Sequence, residues 1–231
     1  MFLLFELELK KKFVFAFIVL SLSVGFCSVF AGENQEIIWA DSVDTAKDAQ
    51  YLTDIEKNVI REMNMVRTNP QLYAHYLKEE LKYYDGKMRV EGDNRILTQE
   101  GTAAIMECIR YLEKAKPVGI LKTDRNLWKA AKDHAKDQGK TGKASHSGSD
   151  KSNPLTRIKR YYKGAYAFVS ENIAYGSSTA RGIVMQLLID DGVPGREHRN
   201  NIMNPRFDAC GVSIQTHSVY QYVCVIDYID Y

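Results

Sequence analysis

The chain has 231 residues, 45% hydrophobic and 26% charged, with 31 Lys and Arg against 29 Asp and Glu and a formal net charge of +2. That composition excludes disordered, collagen-like and low-complexity classes. The near balance of charge also lacks the surplus of a dedicated nucleic-acid binder, and the length suits one domain with a full core, or at most two small ones. At the N-terminus, Lys10, Lys11 and Lys12 precede an uncharged run from Phe13 to Phe30 that ends on Val29-Phe30-Ala31. A basic segment, an apolar stretch and small residues before the cut are the marks of a secretory signal peptide. Residues 1–31 are therefore expected to be removed, leaving a secreted or periplasmic protein. An apolar run of about 18 residues could also just span a bilayer, so a membrane association follows only if this segment is retained. Ser21, Ser23, Gly25 and Ser28 weaken it and favour cleavage.

Residues 32–52 are polar and irregular and read as a flexible lead-in, with the folded domain over 53–231. Thr53-Asp54-Ile55-Glu56 is a capping box, and Ile55, Val59, Ile60, Met63 and Val66 continue at helical spacing to about Arg67. Asn69-Pro70 restarts a helix with proline at its first position. Tyr83 to Leu97 is charged and irregular. A third helix is expected near Thr98 to Ala115, and a fourth after Asp124 with Leu127, Trp128, Ala131, His134 and Ala135 on one face. Gly139 to Asn153 reads as a loop, Asn153-Pro154 as the cap of a short helix, and Ala165 to Ala174 as a strand carrying Glu171. Another helix starts at Ser178 and ends at Asp190-Asp191-Gly192. Val193 to Arg206 is a loop with one helical turn. Cys210 to Thr216 and Tyr220 to Ile229 form a hairpin. Helices first and a hairpin last indicate an antiparallel sheet covered by helices, an α+β sandwich.

Cleavage at Ala31 leaves Cys108, Cys210 and Cys224, which cannot all pair internally. Cys210 and Cys224 flank the hairpin and could bridge; three buried thiols are the alternative. The candidate chemistry lies in loops: His146 in a Gly/Ser stretch, Glu171 at a strand edge, and His198 in Arg196-Glu197-His198-Arg199-Asn200-Asn201. Two imidazoles and a carboxylate are the ligand set of an open zinc site, but separations of 25 and 27 residues do not establish that they converge. The competing reading is structural. The two histidines would order their loops, Glu171 would staple its strand, His134 would be a core residue, and His75 and His217 would lie at the surface. Lys140, Lys143 and Lys151 form a basic rim around His146 that could attract an anionic polymer. No His-Glu-x-x-His, Gly-x-Ser-x-Gly, P-loop, dinucleotide fingerprint or Cys-x-x-Cys is present, which removes several enzyme classes.

Five short pieces of text, in order, resemble the CAP superfamily (cysteine-rich secretory, antigen 5 and pathogenesis-related proteins) in its short bacterial form. They are Leu127-x-x-Ala-Ala-x-x-His-Ala-x-Asp137, His146-Ser-Gly-Ser-Asp150, Ser170-Glu-Asn-Ile-Ala-Tyr-Gly176, Glu197-His-Arg-Asn-Asn-Ile-Met-Asn-Pro-Arg-Phe207 and Gly211-Val-Ser. Asn64-x-x-Arg67 fits as well. The resemblance implies a three-layer α/β/α sandwich with a mainly antiparallel central sheet and a central cleft. It places the cleft histidines on His146 and His198 and an acidic residue on Glu171. Asp190 is the candidate for the fourth position, Asp191 the runner-up and Glu197 a rim residue. The family's residues can hold a divalent cation, often zinc. The expected function is thus an exported binding protein whose cleft takes a metal and a small-molecule, lipid or cell-envelope ligand, with no nucleic-acid partner. The alternative is a metal-assisted hydrolase of a peptide or envelope polymer, with Glu171 or Asp190 as base.

Overall fold

The computed structural model describes residues 37–92 and 94–231; the expected export segment lies outside the described residues. The first helix, α1 (Asp54–Thr68), opens on the capping box, with Glu56 Oε2 accepting from Thr53 N at 2.8 Å. The other oxygen of Glu56 accepts from Ile214 N at 2.9 Å, so one buried carboxylate caps a helix and ties it to the sheet. Asn69 ends α1 and caps α2 (Pro70–Leu81), its side chain accepting from Leu72 N at 3.0 Å.

Residues 83–97, expected to be irregular, form a small antiparallel meander of β1 (Tyr84–Asp85), β2 (Met88–Glu91) and β3 (Asn94–Leu97). Strands this short carry no readable alternation, and Gly86 and Gly92, at φ 55° and 58°, turn the chain between them. The third helix, α3 (Thr102–Lys114), starts later than expected because its N-cap Gly101, at φ 65°, cannot continue a right-handed helix backwards; Gln99 N and Glu100 N before it donate to the Asp191 carboxylate.

The main sheet runs in the order β4 (Lys122–Thr123), β6 (Ala209–His217), β7 (Gln221–Ile229), β5 (Val169–Tyr175). Only the β4–β6 pairing is parallel. On one face lie α4 (Arg125–Thr141) and α5 (Pro154–Tyr161), packing Leu127, Ala130, Ala131 and Ile158 on Ala209, Val223, Val225 and Ile229. The other face carries α1, α2, α3 and α6 (Ala180–Ile189) against Cys210, Val212, Cys224, Ile226 and Tyr228. The result is a three-layer α/β/α sandwich. Sheet and helix come close together at Gly211, where an added Cβ would stand 2.1 Å from Trp128 N of α4.

Two expectations are corrected here. Residues 38–52 are not a loose lead-in: Val43 and Ala46 are buried in the core, and Trp39 Nε1 donates to Tyr76 Oη at 3.0 Å. Asn64 fastens the segment, donating to Val43 O and Thr45 Oγ1, both at 3.1 Å. The hairpin register also excludes a Cys210–Cys224 bridge. Cys210 faces Tyr228 and Cys224 faces Ile214, four positions away, about 13 Å along the strands and beyond disulfide reach. All three described thiols are free and buried.

Arg67, fully buried, donates to four backbone carbonyls: Gly119 O (2.6 Å), Ile202 O (2.7 Å), Asn204 O (2.9 Å) and Phe207 O (3.0 Å). One guanidinium thereby gathers the segment before β4 and the segment after the short helix α7 (Glu197–Ile202).

Candidate functional site

His146 is positioned from behind by a buried arginine. Arg157 of α5 donates to His146 O (3.1 Å) and Ser152 O (2.9 Å), and its Nη2 donates to Glu171 Oε2 at 2.6 Å. The other oxygen of Glu171 accepts from His146 Nδ1 at 2.8 Å. The carboxylate is 1% exposed while the imidazole is 54% exposed. Directly across the sheet from Glu171 is Asp227 on β7, fully buried, and no N–H or O–H donor among the described residues reaches either of its oxygens. Burial, and then the neighbouring charge of Glu171, push the Asp227 carboxyl well above its usual range. His134, expected in the core, is buried there with Nε2 at 2.8 Å from Ser145 O and 3.9 Å from Glu171 Oε1. Its burial pushes its pKa down.

His198 is positioned by a different device. Asp190 is the C-cap of α6 and adopts φ 55°, which turns its side chain back over the start of α7. Its Oδ1 accepts from His198 Nδ1 at 2.6 Å and its Oδ2 from His198 N at 3.0 Å. Two arginines clamp α7 in place. Arg199, buried, donates to Leu188 O (2.5 Å) and to both oxygens of Glu107 (2.8 and 2.7 Å). Arg196 donates to both oxygens of Glu100 (2.6 and 2.7 Å), and these bonds lower the Glu100 pKa to about 2. Of the two acids considered for the fourth position, Asp190 touches His198, whereas Asp191 is occupied by the backbone before α3. Glu197 is exposed.

The two halves meet at the edge strand. Glu171 and Asn172 are consecutive on β5 and point to opposite faces of the sheet. Glu171 holds the His146 ring. Asn172 Nδ2 donates to His198 O at 2.9 Å, and its Oδ1 accepts from Asn201 Nδ2 at 2.8 Å. Asn172, Arg157 and Asp227 were not singled out in the sequence. Only the amide directly after Glu171 offered a signal. His217, expected at the surface, is buried, its Nδ1 accepting from Val219 N (3.2 Å) and Tyr220 N (3.1 Å).

A cleft of about 1060 Å³ lies between the meander and α6, lined among others by Tyr84, Leu97, Tyr175, Ser178, Met185 and His198. It reaches Asp190 as well; His146 and Glu171 are not among its lining residues. Among the described residues, no three His, Cys, Asp or Glu side chains are gathered closely enough to hold an ion by themselves. The carboxylates stand behind the imidazoles, and Nε2 of both His146 and His198 has no protein partner among the described residues. A histidine that donates its Nδ1 proton to a carboxylate presents the Nε2 lone pair, which is how metal-ligating histidines are commonly oriented.

The model of the CAP family, described as the cysteine-rich secretory protein family, matches residues 58–228. The chain belongs to this family. The sandwich expected from the resemblance is therefore the CAP fold. Among solved structures, an outer surface protein from Borrelia burgdorferi is 21% identical over 49% of this chain and 79% of that one, with a TM-score of 0.42. An extracellular SCP-domain protein from Bacillus anthracis is 22% identical over 56% and 38%, with a TM-score of 0.41. The CAP domain of Enterococcal PrgA is 16% identical over 80% and 81%, with a TM-score of 0.32. No curated protein matches the chain.

Proposed function

We propose that this CAP-domain protein is an exported binding protein of the bacterial type, which holds a divalent cation on His146 and His198 and offers the adjoining cleft to a small-molecule, lipid or envelope ligand. What supports the reading is the orientation of both imidazoles. Each Nδ1 is engaged by a carboxylate that is 1% or 4% exposed, so each Nε2 is left with its lone pair free to ligate a cation. Neutral imidazole nitrogens suit zinc. Glu171 and Asp190 serve as outer partners that fix tautomer and ring direction, with remaining coordination positions left to water or ligand. A bound ion would supply Lewis acidity to a coordinated ligand oxygen. Export is supported by the basic and apolar pattern of residues 10–31. Among the described residues, no helix is long and apolar enough to cross a membrane.

The test is zinc content and calorimetric titration of the processed chain. His146→Ala and His198→Ala should each abolish stoichiometric zinc, and Glu171→Gln or Asp190→Asn should weaken it about 10- to 100-fold. Unchanged zinc content in both alanine variants rejects the site. Chelator-sensitive turnover of a peptide or polysaccharide, lost in His198→Ala, would replace binding with the hydrolase reading.

A further inference from the structure

The overall charge balance hides a strong segregation. Residues 122–163 hold twelve Lys and Arg against four Asp, a surplus of eight, while the rest of the chain has a deficit of six. Within that segment, Arg125, Lys129, Lys132, Lys136 and Lys140 recur at steps of three or four along the 17-residue α4. They therefore share one side of the helix. Leu127, Ala131, His134 and Gln138 are buried on the side turned to the sheet.

We infer that this outward row on α4 is a docking ridge for a linear phosphate-bearing polyanion. Fifteen rises of about 1.5 Å from Arg125 to Lys140 make a row about 22 Å long, continued past Gly142 by the exposed Lys143. None of these cations forms an ion pair among the described residues. The two acids of α4 that flank the row are turned away. Asp133 accepts from Tyr161 Oη (2.6 Å), and Asp137 from Ser149 N (2.7 Å) and Ser149 Oγ (2.5 Å). Two ammonium groups lie over aromatic rings, Lys129 at 5.8 Å from the Tyr161 centroid and Lys132 at 4.2 Å from that of Trp128. Those contacts steady the side chains and leave the charge unneutralised.

The form of the row selects the partner. It is single-file, which fits a chain of charges better than a plane of them. None of the exposed large apolar residues lies on α4 or α5 themselves; Val219, beside Gly142 at the end of the row, is a single apolar side chain and not the apolar stripe with which a helix enters a bilayer. Four of its five cations are lysines, which meet phosphate as point charges; the polyglutamate arm of the experiment below separates phosphate from carboxylate polymers. The ridge is independent of the histidine pairs and stands or falls without them.

The experiment measures binding of long-chain inorganic polyphosphate to the processed protein from about 50 to about 200 mM salt. With four to five phosphates engaged, log K should fall against log salt with a slope of about −3. The combined variant Lys129→Gln, Lys132→Gln, Lys136→Gln and Lys140→Gln should bind at least about tenfold more weakly, with a slope near about −1. A control removing equal charge elsewhere, Lys47→Gln, Lys87→Gln, Lys114→Gln and Lys116→Gln, should bind like the parent. The inference is overturned by absence of polyphosphate binding at the lowest salt, or by equal loss in the two variants. Tighter binding to polyglutamate, or to phosphatidylglycerol vesicles, overturns it as well.

Discussion

The carboxylate behind His146 stands on a strand inside the protein, whereas the one behind His198 sits at the end of a helix. Glu171 is enclosed by Arg157, His134 and a second buried acid, Asp227. Asp190 is fixed by its own left-handed backbone, and the stabilising ion pairs lie one layer out, at Arg196, Arg199, Glu100 and Glu107. The same imidazole orientation is thus reached through a buried charge network on one side and through capping geometry on the other. The first should be costly to disturb and coupled to pH. The second should tolerate change that preserves the turn.

The largest expected effect follows from the arginines. Arg157→Met leaves two buried acids without a cation and should cost about 3–5 kcal/mol in denaturant unfolding. Arg199→Met frees Glu107, whose side chain is 39% exposed, and should cost less, about 1–3 kcal/mol. Equal losses would break the contrast. Next, Asp190→Ala should cost about 1–2 kcal/mol because a Cβ without a polar group is strained at positive φ. Asp190→Asn should keep stability within about 0.5 kcal/mol, and nitrogen NMR should show His198 losing its fixed tautomer.

Asp227 gives the pH test. Because its folded pKa is raised, its share of stability is present below the unfolded value of about 4 and is lost as pH rises from there toward the folded value. Asp227→Asn should therefore melt higher than the parent at pH about 7, with the gap closing toward pH about 4. A gap that does not change with pH would show Asp227 to be ionised in the folded protein. The smallest effect belongs to His134, whose folded pKa is lowered by burial. The parent should lose stability as pH falls through about 6.5, and His134→Gln should flatten that loss.

Local chemistry was readable in the sequence wherever one residue decides an element's end. Thr53, Asn69 with Pro70, Asp124 and Asn153 with Pro154 each mark a helix start that the structure contains. The meander was not readable, because strands of two to four residues show no period. The disulfide alternative needed the register of β6 against β7. The packing of residues 38–52 depends on Asn64, whose amide reaches them from a separate helix.

By itself the sequence determined the helix caps, the family text with its two histidines, and the charge surplus of residues 122–163. Each depends on neighbours a few positions apart, where backbone geometry is already known. Tertiary structure alone decided which acid stands behind which imidazole, that Asp191 serves a different loop, and that Glu171 and Asn172 reach the two histidine segments from opposite faces of one edge strand. Those contacts join residues brought together only when the sheet pairs and the helices cover it, and no spacing along the chain records that.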